Sequence, residues 1–297
     1  MESQETSIGR ATLLIVVSAL SFGSISVLTV LTTTAGVPLL TAMAGRYVLG
    51  AVLLGAAAQI KRIRSLPRQR TIQLVLIGGV GQALITYLSL RALEYIPVGP
   101  LAFLFYTYPA WVALLAAIRK TEKLTSIRVF ALALALTGVT IMVGAPTDKL
   151  NPIGVMLALG SALLYSAYLP ALEHVQEGIP ALLSTFLLIA GAAISFAIAA
   201  LVAGELFIPR GLAVWSNILL LAVVSTVIAF SALIKGLSVL GPVRTSIIAT
   251  VEPFFTAVLG ALVLGNKFGA ATLVGGVLIA AAVLVIEWSS TRIPATA

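Results

Sequence analysis

Ten stretches of about twenty mostly apolar residues follow one another along this chain, joined by connections of a few residues. They run over 11–33, 38–60, 71–93, 98–118, 126–144, 152–172, 180–203, 214–236, 242–264 and 268–288. A helix needs about 20 residues to cross a hydrocarbon core of about 30 Å. Strands of a membrane barrel would alternate apolar and polar residues, and runs such as FALALALTGVTIMVG do not. Helices also satisfy every backbone group within the segment, which lipid demands. The expected class is an all-α integral membrane protein with ten transmembrane helices. Composition agrees, with 60% hydrophobic and only 9% charged residues, against roughly 25% charged in ordinary soluble domains.

Other classes recede on counts. There is no cysteine and a single histidine, His174. Disulfides, thiolate metal sites, His-rich metal sites and a Ser-His-Asp triad are therefore not expected. No P-loop, HExxH or GxSxG motif is present. No metal, cofactor or nucleic-acid partner is expected, and the net charge of +8 reads as basic loops on one side of a membrane. The opening MESQETSIGR does not have the pattern of a cleaved signal.

Connections such as TTTAG, EYIPVG and GNKFG are too short for a soluble domain, so neighbouring helices form antiparallel hairpins. Pro38, Pro152, Pro180 and Pro242 stand where helices begin, a position that tolerates the missing N–H. With the N-terminus inside, thirteen lysines and arginines lie on the inner side, among them Lys61, Arg62, Arg64, Arg68, Arg70, Arg119, Lys120, Lys123 and Arg128. Four lie outside, at Arg91, Lys149, Arg210 and Lys267. This bias places both termini in the cytoplasm.

The halves repeat. RALEYIPVGPLAFLFYTYPAWVALL, from Arg91, matches KGLSVLGPVRTSIIATVEPFFTAVL, from Lys235, 144 positions on. Pro109 pairs with Pro253 and Ala113 with Ala257 at that offset. VPLLTAMAGR at Val37 faces IPALLSTFLL at Ile179, and SALSFGS at Ser18 faces SALLYSA at Ser161. Five spans is an odd number, so the second copy is inverted relative to the first. Such repeats are a transporter signature, with sites near the midplane where they meet. The expected organisation is a cytoplasmic N-terminus (1–10), a first repeat (11–144), an inverted second repeat (152–288) and a cytoplasmic tail (289–297).

The segments YTYPAWVALLAAIRKTEKLTSIRVFALALALTGV and VEPFFTAVLGALVLGNKFGAATLVGGVLI carry a resemblance. Each has a proline in the fourth helix of its half, a short charged or polar turn and a closing helix rich in small residues. With Arg46 in the second helix, the chain resembles the EamA family of the drug/metabolite transporter superfamily over nearly its whole length. Within it the chain is most similar to bacterial YddG-type exporters of aromatic and other amino acids. Glu122 matches the acid often found in the turn, whereas Asn266 departs from it. The resemblance implies a non-enzymatic exporter in a bacterial-type inner membrane.

Candidate site residues are polar groups where polarity is costly. Glu252 lies ten residues into its span, ~15 Å from the start and so near the midplane. It could meet a substrate amine, carry a proton, or pair with Arg46 or Lys235. Arg46, eight residues past Pro38, could hold a substrate carboxylate, snorkel outwards or bind a helix carbonyl. Pro109 and Pro253 are expected to kink their helices and free the carbonyls of Phe105 and Ala249. Gln82, Thr86 and Ser89 share one helical face, as do Ser161, Tyr165 and Tyr168, and Ser246 with Thr250. Tyr106, Tyr108 and Trp111 are mid-span aromatics. These residues are read as lining a central cavity between spans one, three, four, six, eight and nine. Spans five and ten are read as peripheral scaffolds, packed through Ala271, Gly275, Gly276 and Ala280.

The expected function is alternating-access export of small metabolites, above all amino acids, including aromatic or apolar ones. A multidrug or nucleotide-sugar carrier of the same superfamily is the alternative, and a membrane enzyme a distant one. The expected partners are a small-molecule substrate and the bilayer, and a monomer is sufficient to enclose the cavity.

Overall fold

The computed structural model describes residues 2–58, 63–64, 66–92, 94–96, 98–122, 124–144, 150–265 and 268–292. Lys61, Arg62, Lys123, Lys149, Lys267 and Asn266 lie outside the described residues. The regular structure among them is helical throughout. Helix α1 is Glu2–Thr34, α2 is Leu39–Ala57 and α5 is Ser126–Val143. Helices α6, α7 and α10 are Pro152–Gln176, Ala181–Val202 and Ala270–Arg292.

The third and fourth helices of each repeat are irregular. Helix α3 joins Arg68–Leu76 to Ala83–Ala92 through a π-helical turn, Ile77–Gln82. Helix α8 joins Leu212–Ala222 to Ala229 and beyond through a second π turn, Val223–Ile228. Helix α4 is broken into Val98–Phe105 and Tyr108–Arg119. Helix α9 begins after Gly241, whose φ of 74° and ψ of 170° reverse the chain out of α8. It runs over 242–249 and, after a break at Thr250, over Val251–Leu264. Among the described residues nine helical stretches are long and apolar enough to cross a membrane, because α8 and the first half of α9 count as one. Val251–Leu264 completes the tenth crossing.

The breaks in α4 and α9 sit one turn before Pro109 and Pro253. A proline N–H is missing there, so the carbonyls of Phe105 and Ala249 lose their helical donors. The first half of each helix ends at those residues.

The α2–α3, α4–α5, α6–α7 and α8–α9 turns share an end of the bundle with both termini. It is here called the basic end for Arg10, Arg68, Arg70, Arg119, Lys120 and Arg128. At this end the Glu122 carboxylate accepts from Arg128 at 2.9 Å and from the backbone N–H of Val243 at 3.4 Å. A turn of the first repeat thus caps the start of α9 in the second, where an acid also suits the helix dipole.

The principal helix pairings cross between repeats: α1 with α8 and α9, α2 with α7, α3 with α6 and α7, and α5 with α10. Small residues permit this. A Cβ on Gly78 would lie 1.9 Å from the carbonyl oxygen of Leu188, and one on Gly191 would lie 2.1 Å from that of Val75. Helices α5 and α10 meet at Gly138 and Gly275, where a Cβ on either would strike the other's carbonyl oxygen at 2.7 or 2.4 Å. Gly276 instead receives the ring of Phe254.

The second π turn is a junction. Arg46 is only 3% exposed. Its Nε donates to Thr226 Oγ1 at 2.7 Å and an Nη donates to the Ser225 carbonyl at 2.8 Å. Ser24 and Ser225 hydroxyls pair at 2.7 Å, and Ser18 donates to the Ala229 carbonyl at 2.8 Å. A π turn leaves carbonyls without their regular helical partners, and these side chains of α1 and α2 take them up. Pseudo-symmetry makes the same contact differently in the other half. Leu188, 142 positions after Arg46, lies on Gly78 of the first π turn.

Gly78→Ala is expected to lower the thermal unfolding midpoint in detergent, since the added carbon meets backbone that cannot rotate away. Overpacking of this kind costs about 1–3 kcal/mol. Gly160→Ala, whose Cβ would meet only Leu88 Cδ1 at 3.8 Å, should leave the midpoint unchanged. Arg46→Met should also cost about 1–3 kcal/mol by stranding the Ser225 carbonyl. Arg46→Lys should fall between it and wild type, because one ammonium cannot reproduce both directions of the guanidinium fork.

Candidate functional site

A cavity of about 300 Å³ descends from the end opposite the basic one. Its upper wall holds Thr29 of α1, Leu39 of α2, Ser89 of α3 and Leu101 of α4, each near the helix terminus at that end. Gln82 and Thr86 face it further down, with the Gln82 amide 3.4 Å from Thr86 Oγ1. At its base lie Glu252, Arg46, Tyr47 and Tyr106.

The base is walled by aromatic rings. Phe22 meets Phe230 edge-on at 4.9 Å, and Phe105 lies 5.7 Å from Tyr165. Beneath them Tyr108 packs edge-on against Tyr165 at 4.7 Å. Offset and edge contacts of this kind add to the burial of each ring.

Glu252 is the carboxylate of this cavity. It stands in the first turn of the second half of α9, directly after the break. The Tyr106 hydroxyl and the Glu252 carboxylate both face the cavity base, within electrostatic reach of one another. Tyr106 is itself the last residue before Thr107 at the break in α4. The broken points of the two helices therefore lie together at the cavity base. Thr256 fixes the α9 turn by donating to the backbone carbonyls of both Gly23 and Glu252 at 3.1 Å. Among the described residues Glu252 makes no ion pair with Arg46 or Lys235. Arg46 reaches the same cavity, but its fork is held by Thr226 and Ser225 and its guanidinium lies 4.8 Å from the Tyr47 ring centroid.

Of the residues read from the sequence as cavity lining, Gln82, Thr86, Ser89, Tyr106, Tyr165, Glu252 and Arg46 come together here. Six do not. Ser161 and Ser246 are fully buried, with their hydroxyls turned onto the Ala158 and Val243 carbonyls. Tyr108 is 1% exposed beneath the floor, and Tyr168 stacks behind Tyr165 at 5.7 Å. Thr250 is buried, with its hydroxyl turned onto the Ile247 carbonyl at 2.7 Å. Trp111 points along its own helix and donates to Thr107 Oγ1 at 3.2 Å. The breaks at Tyr106–Thr107 and Thr250 account for Tyr108, Trp111 and Thr250, because face assignments by spacing assume an unbroken helix. Tyr168, on the continuous α6, is covered by its stack on Tyr165. Pro109 is buried below the floor and Pro253 behind Glu252.

The structure adds Phe22, Thr29, Met43 and Phe230 to the wall, and α2 to the helices that form it. Phe22 is visible in the repeat, where it pairs with Tyr165 across SALSFGS and SALLYSA. His174 is exposed at the basic end, where its backbone carbonyl accepts from Arg70 at 2.8 Å.

Known proteins agree with this architecture. A solved crystal structure superimposes with a TM-score of 0.80 at 20% identity, over 95% of this chain and 98% of that one. The uncharacterized transporter YcbK of Bacillus subtilis (strain 168) is 29% identical over 181 residues, and that match spans 58% of each chain. The EamA-like transporter family matches both halves, at residues 9–144 and 152–288. The chain is a multi-pass membrane protein that belongs to the EamA-like transporter family.

Proposed function

We propose that this transporter exports amino acids with apolar or aromatic side chains by alternating access. The observation that carries the reading is the pairing of chemistries at the cavity base. One carboxylate, Glu252, stands with Tyr106, Gln82 and Thr86, and all share the cavity with a wall of Phe22, Phe105, Tyr165 and Phe230. An ammonium group fits the carboxylate, a neighbouring carboxylate fits the amide and hydroxyl, and an apolar side chain fits the rings. The volume of about 300 Å³ is at the small end of ligand pockets, which span ~300–1,000 Å³. A nucleotide sugar is disfavoured on two counts. It is large, and Arg46 is already committed to Thr226 and Ser225. The multidrug alternative shares the carboxylate and the rings, so cationic aromatic compounds belong in the test.

In this reading the basic end faces the cytoplasm of a bacterial-type inner membrane. The structure then stands closed inside and hollow towards the outside. The two repeats, 11–144 and 152–288, exchange roles as the molecule opens the other way. The breaks before Pro109 and Pro253 serve as hinges, and one chain suffices.

The test is uptake of a radiolabelled amino-acid panel, with cationic aromatic compounds alongside, into proteoliposomes. Wild type should show saturable uptake of apolar or aromatic amino acids. Glu252→Gln should raise KM by about 10–100-fold, the value of a hydrogen bond to a charged group. Uptake with an unchanged KM would make Glu252 a structural acid. Saturable uptake of the cations alone would replace the amino-acid assignment.

A further inference from the structure

A second cavity, of about 400 Å³, lies at the basic end. Helices α4, α6 and α9 border both cavities. On α6, Tyr165 belongs to the central cavity and Pro170 to the second. On α9, Glu252 belongs to the central cavity and Pro242 to the second. Tyr168 on α6 and Thr245, Ser246 and Thr250 on α9 fall between these positions.

Those four residues are fully or almost fully buried. Among the described residues the Tyr168 hydroxyl and Thr245 Oγ1 have no hydrogen-bond partner. The Ser246 hydroxyl turns back onto the Val243 carbonyl at 2.8 Å, and that of Thr250 onto Ile247. A buried hydroxyl left unpaired is unfavourable by about 1–3 kcal/mol. Buried unpaired hydroxyls also occur on α1, α7 and α8 among the described residues, so what sets these apart is their place between the two cavities.

The repeat supplies a reason. At the offset of 144 that pairs Pro109 with Pro253, Thr245 matches Leu101, Ser246 matches Ala102 and Thr250 matches Tyr106. At the offset of 143 that pairs Ser18 with Ser161, Tyr168 matches Ile25. All four counterparts line the cavity that is open now.

We infer that Tyr168, Thr245, Ser246 and Thr250 form a closed polar seam between the two cavities, which parts to become the solute path when the basic end opens. The inference rests on the transport reading above. It also gives the two paths different chemistry. Towards the basic end the wall offers hydroxyls at 168, 245 and 246, where the opposite wall has Ile25, Leu101 and Ala102. A hydrogen-bonding solute is thus held by more groups when it enters from the basic side than when it leaves on the other.

The chain has no cysteine, so single thiols report on it without background. Thr245→Cys, Ser246→Cys, Ala102→Cys and Leu188→Cys would be reconstituted, and a membrane-impermeant maleimide applied to each face separately. Two seam variants guard against one failing to fold. Ala102→Cys should label from the face opposite the basic end. At least one seam variant should label from the basic face, about tenfold or more faster than the core reference Leu188→Cys, since even a minor open state admits reagent. Seam variants that label no faster than Leu188→Cys, or only from the far face, overturn the seam. Amino-acid flux in the same vesicles separates the two readings. Labelling without flux keeps the seam and removes the amino-acid assignment, whereas flux without labelling removes the seam alone.

Discussion

The fold depends on how one buried arginine is satisfied. A guanidinium inside a membrane protein is tolerated only where donors find acceptors, and Arg46 finds them on the π turn of α8. The turn in turn is steadied because its Ser225 carbonyl is taken up by Arg46, while Ser18 of α1 takes the Ala229 carbonyl directly after it. Each irregularity answers the other. Arg46 belongs to the first repeat and the π turn to the second, so the contact that removes both costs also fastens the halves together. In the other half the same juncture carries no charge. There Gly78 lets α3 rest on the backbone of α7 at Leu188. Close packing substitutes for hydrogen bonding, as it commonly does where lipid supplies no hydrophobic drive.

That asymmetry bears on the cavity. Because Arg46 is engaged sideways, the Glu252 carboxylate stands beside the Tyr106 phenol with no cation in ion-pair contact among the described residues. An arginine in direct contact would have neutralised the site and left little for a substrate amine. The engaged guanidinium still faces the cavity, where it moderates the cost of a carboxylate at that depth without occupying it.

Much of this architecture is legible in the sequence, for physical reasons. Lipid requires about twenty apolar residues per helix, so the ten crossings can be counted. Glu252, Arg46, Gln82 and Thr86 stand out because polarity at mid-span is expensive. Helix geometry is harder to see. The π turns at Ile77–Gln82 and Val223–Ile228 have no residue signature, for one is IGGVGQ and the other VVSTVI. Each insertion rotates the remainder of its helix, and each break in α4 and α9 does the same. Spacing alone therefore puts Tyr108 and Thr250 on a face they do not occupy. The short cap by Glu122 is equally hidden, because it joins a turn in one repeat to a helix start 121 positions away.

Inversion turns these misplacements into information. A residue that lines nothing in one conformation can still have a counterpart that lines the open cavity. Thr250 does nothing at the surface of the present cavity, yet its counterpart Tyr106 lines that cavity with Glu252. On the proposed transport reading, the two repeats present, side by side in one structure, an open and a closed form of the same five-helix unit. Polar residues that look idle in one copy then match positions that line the cavity in the other.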